Sequence, residues 1–261
     1  MHSPPEIPPF GARTLGDDEV AVWVCRTDAL SAEQLHALDR FLDSSEQSRR
    51  DRLRFDRDRR DFSAAHGLLR AALSVYGAVD PSGWRFEVTS HGKPSIVPSQ
   101  AGTPPLLFNI SHTHEFVACA ITRHAAVGID VERYSRVAAA PDIATRHFAA
   151  AEVALLEACS ADEYKARFIE LWTLKESYIK AIGIGLSLAL DSFAFALDDA
   201  HCLRFVPHDG GSGWQFWLAA ALPDVRLSVA IRRERNAPRH RVSFHDWNGP
   251  GPSGIHLLRS L

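Results

Sequence analysis

The chain has 261 residues, of which 46% are hydrophobic and 23% are charged, and its formal net charge is −3. This composition is typical of folded globular proteins and excludes a disordered chain, and the slightly acidic balance gives no overall electrostatic reason to bind nucleic acid or membranes. The sequence has no apolar run of about 18 residues and no basic, apolar leader pattern, so we expect a cytoplasmic protein without a membrane partner.

The first half of the chain predicts a strand, three helices and then short strands. Two helices begin with capping-box patterns, at 31–34 and again at 44–47. The third helix carries an apolar stripe from about 58 to 76 and ends at Gly77. β-branched or alternating runs predict strands at 20–25, 84–89, 106–111 and 116–121.

The segment from 49 to 60 is strongly basic for a slightly acidic chain, with seven arginines against three aspartates. We expect an anionic ligand or partner to dock there. A nucleic-acid-binding module built on this segment is one alternative, which predicts salt-sensitive binding to DNA or RNA. The interspersed aspartates and the overall acidity argue against it, so we expect no nucleic-acid partner.

The second half of the chain repeats this order of elements without sequence identity. A strand at 127–132 precedes helices between about 140 and 182. Further strands are predicted near 193–197, 214–221 and 225–231.

The repeated order predicts an α+β fold with two similar subdomains. Each subdomain has a strand, helices and antiparallel strands, and we expect a pseudo-twofold to relate the two. We place the N-terminal subdomain at 1–122 and the C-terminal subdomain at 126–235. Residues 236–261 are rich in proline, glycine and basic residues, and we expect them to form a loosely packed C-terminal tail.

The strand at 127–132 is the first candidate for chemistry. Its sequence, V-G-I-D-V-E, sends Asp130 and Glu132 to one face because successive strand residues alternate. Two carboxylates on one face supply the hard oxygen ligands that Mg²⁺ prefers. The alternative is a half-buried strand whose polar face meets water.

The helix that ends at Gly183 is the second candidate. Steps of three and four residues place Glu176 and Lys180 near Trp172, so an acid, a base and an aromatic share one face. The alternative is a solvent-side ion pair between Glu176 and Lys180, with Trp172 in the core.

Two turns form the third candidate. F-N-I-S-H at 108–112 ends a strand in Ser111 and His112, whose side chains can donate hydrogen bonds to a phosphate. The turn H-G-K-P at 91–94 places the Lys93 ammonium where it could reach the same anion. The alternative is a pair of ordinary solvated loops.

Five motifs together, in this order, resemble the Sfp-type family of 4′-phosphopantetheinyl transferases over roughly residues 45 to 195. They are G-K-P at 92–94, F-N-I-S-H at 108–112, G-I-D-V-E at 128–132, L-W-T-L-K-E-S-Y-I-K at 171–180 and G-L-S-L-A-L-D-S-F at 185–193. The resemblance implies the 4′-phosphopantetheinyl transferase fold, with the site at the interface of two subdomains. It also implies transfer of the 4′-phosphopantetheine group from coenzyme A to a serine of an apo carrier protein, with release of adenosine 3′,5′-bisphosphate.

The resemblance assigns roles to individual residues. Asp130, Glu132 and Glu176 match the family's Mg²⁺ ligands, and Mn²⁺ is a possible substitute. Glu176 also matches the proposed general base, and Lys180 the residue that steadies the phosphate or the departing group. The coenzyme A site is assigned to Lys93, Ser111, His112, Lys175 and basic residues of the arginine-rich helices such as Arg59, with His66 where many relatives have arginine.

The length of the chain is similar to that of the double-size, monomeric members of the family, so the resemblance implies a monomer. The implied partners are acidic acyl or peptidyl carrier domains, and the K-E-S form of the signature resembles members that serve polyketide and nonribosomal peptide synthesis alongside fatty acid synthesis. A non-catalytic homologue that only binds coenzyme A or carrier proteins is the main alternative; it predicts a broken carboxylate set, and this sequence keeps all three.

Overall fold

The structure is a computed structural model, and it describes residues 11–102, 105–136, 140–197, 203–207, 213–234, 237–248 and 255–261. Within these ranges, none of the helices has the length and apolarity needed to cross a membrane. The helices and strands, in chain order, are β1 (Glu19–Arg26), α1 (Ala32–Asp39), α2 (Ser44–Asp51), α3 (Asp56–Tyr76), β2 (Phe86–Val88), β3 (Pro94–Ile96), β4 (Leu106–Thr113), β5 (Phe116–Arg123), β6 (Val127–Arg133), α4 (Ala140–His147), α5 (Ala150–Glu157), α6 (Ala161–Ile182), β7 (Ala194–Leu197), β8 (Leu203–Val206), β9 (Trp214–Leu222), β10 (Val225–Arg232), β11 (Arg241–Asp246) and β12 (His256–Ser260).

The chain divides into two compact units. Unit 1 contains residues 1–89, 94–125 and 240–253, and unit 2 contains residues 90–93, 126–239 and 254–261. The tail does not form a body of its own, because its residues are shared between the two units.

Unit 1 is built on a four-stranded sheet in the order β11-β1-β5-β4. β1 and β5 are almost entirely buried, and helix α3 packs on them through an apolar face. Helix α1 crosses α3 at Gly67, where a Cβ atom would lie 2.5 Å from the Leu38 carbonyl oxygen. Glycine at this position therefore lets the two helix backbones touch.

Unit 2 is built on a second four-stranded sheet in the order β12-β9-β10-β6, and every pairing in it is antiparallel. Helix α6 packs on β6 and β10. At Gly128, a Cβ atom would lie 2.0 Å from the backbone carbonyl oxygen of Ser177 and 2.4 Å from the backbone nitrogen of Ala181. The absence of a side chain therefore lets α6 lie directly on the strand that carries Asp130.

The two units repeat one topology, which confirms the predicted α+β fold with two similar subdomains. In unit 1 the order β1-β5-β4 places the first strand beside the last, and in unit 2 the order β6-β10-β9 does the same. Each unit also has one long helix, α3 or α6, followed by a two-stranded hairpin, β2–β3 or β7–β8.

The structure corrects the expectation for residues 236–261. In the described part of this tail, β11 pairs in parallel with β1, and β12 pairs antiparallel with β9. The side chain of Trp247 is only 5% exposed and joins the core of unit 1. The tail is therefore a structural part of both sheets, because each sheet has an edge strand that it can pair with.

Candidate active site

Strand β6 and helix α6 bring two predicted metal ligands and a lysine to one surface of unit 2. Residues 128, 130 and 132 share one face of β6, and Gly128 is the point where this face meets α6. Further along the same face, the Lys180 ammonium donates to Asp130 Oδ1 at 2.5 Å, and Asp130 is only 3% exposed. The strand and the helix thus form a charged surface whose side chains are partly buried.

Glu176 lies one helical turn before Lys180 on α6 and is half-buried. Its burial, and then the negative charge of Asp130, raise the pKa of the Glu176 carboxyl, whereas the positive charge of Lys180 opposes this shift. The two carboxylates are therefore close enough to repel each other, although one is on a strand and the other on a helix.

The ligand chemistry of Asp130, Glu132 and Glu176 fits Mg²⁺, because all three offer only hard oxygen atoms. Their placement fits in part. Asp130 and Glu132 share a face of β6, and Asp130 is electrostatically coupled to Glu176. Among the described residues, however, no three acidic, histidine or cysteine side chains are gathered into a ready-made metal cluster. The Lys180 ammonium is the positive charge that Asp130 contacts in this arrangement.

Lys175 does not lie with Glu176, and this corrects its predicted contact with coenzyme A. Its ammonium is fully buried, pairs with Glu152 at 2.7 Å and donates to the Leu190 and Phe193 carbonyls. Adjacent helix residues face different directions, so Glu176 points to the charged surface while Lys175 points into the core. A phosphate has no access to this ammonium. No local spacing links Glu152 to Lys175, so sequence reasoning missed the pair.

Lys93 is also held by the protein itself. Its ammonium donates to the carbonyl oxygens of Val127 at 3.0 Å, Lys180 at 2.7 Å and Ala181 at 3.3 Å. Burial lowers the pKa of this lysine to about 8. The prediction placed it on an anion, whereas the structure places it on backbone carbonyls of unit 2.

Ser111 and His112 end strand β4 in unit 1, as the sequence predicted. Ser111 is buried and His112 is exposed. Because consecutive strand residues project to opposite faces, these two side chains do not share a face of β4. A ligand that contacts both of them would have to approach at the end of the strand, where β4 turns into β5.

His66 lies on α3 beside a buried charge network. Its Nδ1 atom is 2.9 Å from Glu46 Oε1, and its ring stacks on Phe62 at 4.1 Å between centroids. Glu46 also accepts a hydrogen bond from the fully buried Arg70. Burial alone would raise the pKa of Glu46, but the hydrogen bond to His66 and the charges of His66 and Arg70 lower it to about 2.

Arg59 lines a cavity of about 620 Å³ inside unit 1. Its guanidinium pairs with Asp56 at 2.5 Å and donates to the Leu53 carbonyl. Four arginines and four acidic residues line this cavity: Arg50, Arg57, Arg59, Arg60, Asp39, Asp56, Asp61 and Glu115. The remaining lining residues are Thr27, Ala32, Leu35, His36 and Ser63. The run of arginines was the only sequence signal for it.

Comparisons with known proteins show which family the chain belongs to. The model of the 4′-phosphopantetheinyl transferase superfamily matches residues 126–230, and that of the 4′-phosphopantetheinyl transferase N-terminal region matches residues 29–124. The 4′-phosphopantetheinyl transferase HetI of a Nostoc species is 33% identical over 78% of this chain and 94% of its own. The 4′-phosphopantetheinyl transferase Sfp of Bacillus subtilis is 33% identical over 63% of this chain and 75% of its own.

A solved structure was also found. The holo-(acyl-carrier-protein) synthase of Bacillus anthracis, in complex with CoA (3′,5′-ADP), matches with 15% identity and a TM-score of 0.36 over 42% of this chain and 96% of that one. This likeness is too low to support a conclusion. The family models and the two transferases are sufficient by themselves: the chain belongs to the 4′-phosphopantetheinyl transferase superfamily.

Proposed function

We propose that the protein transfers the 4′-phosphopantetheine group of coenzyme A to a serine hydroxyl of an apo carrier protein. The serine oxygen forms a bond to the phosphorus that bears the pantetheine, the bond from this phosphorus to the bridging oxygen breaks, and adenosine 3′,5′-bisphosphate leaves. Membership of the family supports this reaction. The observation that carries it is the coupling of Asp130 on β6 to Glu176 on α6 beside Lys180.

Mg²⁺, or Mn²⁺ in its place, would be held by Asp130, Glu132 and Glu176. When bound, the ion neutralises charge on the pyrophosphate and on its leaving oxygen. The repulsion between Asp130 and Glu176 favours a cation beside them. Lys180, which contacts Asp130 in this structure, would then be free to bind the phosphate or the departing group with its ammonium.

Glu176 is suited to accept the proton of the carrier serine, directly or through water. Its pKa is raised by burial and by Asp130, and a base works best when its pKa approaches the working pH. The causes of this raised pKa also destabilise the ionised carboxylate, so a bound cation would stabilise it. One residue therefore serves metal binding and proton transfer.

The nucleotide end of coenzyme A is assigned to basic groups of unit 1. Arg60 lines the cavity and is exposed, and its side chain makes no ion pair or hydrogen bond with any residue that the structure describes. Arg59 lines the same cavity but is already paired with Asp56. We therefore assign the first phosphate contact to Arg60, with Arg59, His66, Ser111 and His112 as further contacts.

The partners follow from the reaction. The basic segment of unit 1 would attract an acidic carrier domain, of the acyl or peptidyl type. A monomer in the cytoplasm is the simplest form in which one chain serves such carriers. The family membership does not by itself exclude a homologue that binds coenzyme A or carriers without catalysis, so the assay has to detect transfer.

The test is incubation of the protein with coenzyme A, Mg²⁺ and a panel of apo carrier domains, followed by mass spectrometry of each carrier. We expect a gain of one phosphopantetheine on at least one carrier, and no gain when the carrier serine is replaced by alanine. Chelation of the metal, or the substitution Asp130→Asn, should abolish the gain. No gain on any carrier would favour the binding homologue, and undiminished transfer by Asp130→Asn would refute the metal assignment.

A further inference from the structure

Lys93 comes from the turn between β2 and β3, and its ammonium lies among three backbone carbonyl oxygens. The acceptors are Val127, the first residue of β6, and Lys180 and Ala181 in the last turn of α6. An ammonium has three N–H donors, so these carbonyls match its full donor capacity. The contact joins the beginning of the strand to the end of the helix.

The Lys180 and Ala181 carbonyls are among those that the end of a helix leaves without an intrahelical partner. The last four C=O groups of an α-helix need other donors, and the negative end of the helix dipole favours a cation there. Gly183 ends α6 in the left-handed region, with φ of +80°, and donates back to the Ile179 carbonyl. Lys93 adds a second, charged cap to the same turn.

The surrounding packing shows that this junction is tight. A Cβ atom on Gly183 would lie 3.1 Å from Lys93 Cδ, so the lysine stem runs along the end of the helix. One residue after Val127, Gly128 is in direct backbone contact with α6. Asp130 follows two residues later on the same strand face and meets Lys180. A shift at the Lys93 contact would therefore move Asp130 relative to Glu176.

We propose that Lys93 is a positioning residue, a clamp that ties the start of β6 to the last turn of α6 and so sets the spacing between Asp130 on the strand and Glu176 and Lys180 on the helix. This role replaces the phosphate contact predicted for Lys93. Its consequence for catalysis depends on the proposed function, but the clamp itself exists in the free protein. It can therefore be tested without substrate.

The direct test is amide hydrogen exchange of the free protein in the presence of a chelator. The variant Lys93→Met keeps the apolar stem of the side chain and removes the ammonium. We expect amide exchange in the last turn of α6 and at the start of β6 to become about tenfold faster, as for the loss of hydrogen bonds from a charged group. The amides of β9 and β10 serve as the reference. Lys165→Met makes the same change on the exposed side of α6 and should alter nothing. If Lys93→Met shows wild-type exchange rates both in the last turn of α6 and at the start of β6, the clamp is refuted.

A second measurement separates the clamp from a phosphate contact. The clamp predicts weaker binding of Mn²⁺ to Lys93→Met, a lower kcat and little change in the affinity for coenzyme A. A phosphate contact predicts weaker binding of coenzyme A, with unchanged exchange and unchanged Mn²⁺ affinity, and that pattern would refute the clamp.

Lys93→Arg serves if Lys93→Met does not fold. Arginine keeps the charge, but its planar guanidinium cannot replace a compact ammonium among three carbonyls. The clamp predicts faster exchange at the α6–β6 junction for this variant too, with coenzyme A affinity retained; wild-type exchange would refute it. If the wild-type protein transfers nothing to any carrier, the proposed function fails while the exchange result still decides the clamp.

Discussion

Glu176 occupies a position where a carboxylate is disfavoured. Burial and the charge of Asp130 both act against its ionised form, whereas the charge of Lys180 acts in its favour. A residue held in this way costs stability at neutral pH, because its carboxylate is better accommodated in the unfolded chain. Such a cost is expected where a side chain is retained for chemistry.

The first prediction is that Glu176→Gln loses activity and gains stability. Transfer should fall by at least about 100-fold, because the proposed base and one proposed metal ligand are lost together. In metal-free buffer at neutral pH the variant should melt at a higher temperature than the wild type. The measurements are carrier mass spectrometry and thermal unfolding across a pH series.

The pH series fixes the sign of this effect. The ordinary pKa of the carboxyl is 4.5, and the folded protein raises it, so the wild type loses stability as the pH rises through the interval above 4.5 up to the raised pKa. Glutamine does not titrate. The difference in melting temperature should therefore be absent in acid and complete at neutral pH. The exposed Glu157→Gln on α5 is the control and should show neither effect. A variant less stable than the wild type at neutral pH would contradict this account.

Helix α6 serves two purposes with adjacent residues. Lys175 makes the fully buried pair with Glu152, which also accepts from the Phe195 and Ala149 backbone nitrogens. Glu176 stands on the charged surface. A buried pair of this kind holds α5 and α6 together only while both partners are present, because removing either side chain leaves an unpaired charge in the core. The K-E dipeptide therefore combines one structural side chain, Lys175, with one for which we propose a catalytic role, Glu176.

Helix α5 begins with half of a cap, and this gives the second prediction. The Glu152 side chain accepts from the Ala149 nitrogen at 3.0 Å, but Ala149 has no side-chain acceptor to offer in return. Ala149 already has the extended backbone of a cap, with φ of −64° and ψ of 148°. Ala149→Ser should therefore stabilise the protein by about 1 kcal/mol, measured by urea denaturation.

A matched control lies one residue further on. Ala150→Ser adds the same hydroxyl at an exposed first helical position, where it completes no capping box. We expect this variant to be no more stable than the wild type. Equal free energies of unfolding for the two serine variants would show that capping of α5 does not limit stability.

At the scale of the whole molecule, the sequence predicted much of the fold because most elements carry local signals. Strand β6 was predicted to within one residue from its alternating pattern, and the end of helix α6 was predicted from the closing Gly183. The strands β11 and β12 were missed, because their order comes from pairing with β1 and β9 rather than from a local pattern. Long-range pairing of this kind is invisible to periodicity.

The candidate site divides in the same way. Alternation placed Asp130 on one face of a strand, and helical spacing placed Glu176 and Lys180 on one face of a helix. The family resemblance implied that the three share a site, and the structure places them close together. The environments of Lys93 and Lys175 could not be predicted. Both lysines sit in polar-looking motifs, yet one binds backbone carbonyls and the other a glutamate distant in sequence. Which way a helical or turn lysine faces depends on tertiary packing.

The tail strands give the third prediction, which concerns both units at once. A chain ended after Arg239 would leave one edge of β1 and one edge of β9 without their described partners. Trp23 would also lose its stacking on His245, at 4.6 Å between centroids, and its contact with Trp247. Exposed strand edges and aromatic surface promote aggregation, so we expect the shortened chain to be insoluble when expressed.

A milder variant separates the role of β11 from general damage. Trp247→Ala keeps both tail strands but removes a side chain that is 5% exposed in the core of unit 1, and it should cost about 3–5 kcal/mol of unfolding free energy. We expect it to remain soluble and to unfold at lower urea concentration, with its loss read from the same denaturation curves as Ala149→Ser. If the chain ended after Arg239 stays soluble and unfolds cooperatively like the full-length protein, the tail is dispensable and its pairing with β1 and β9 adds no stability.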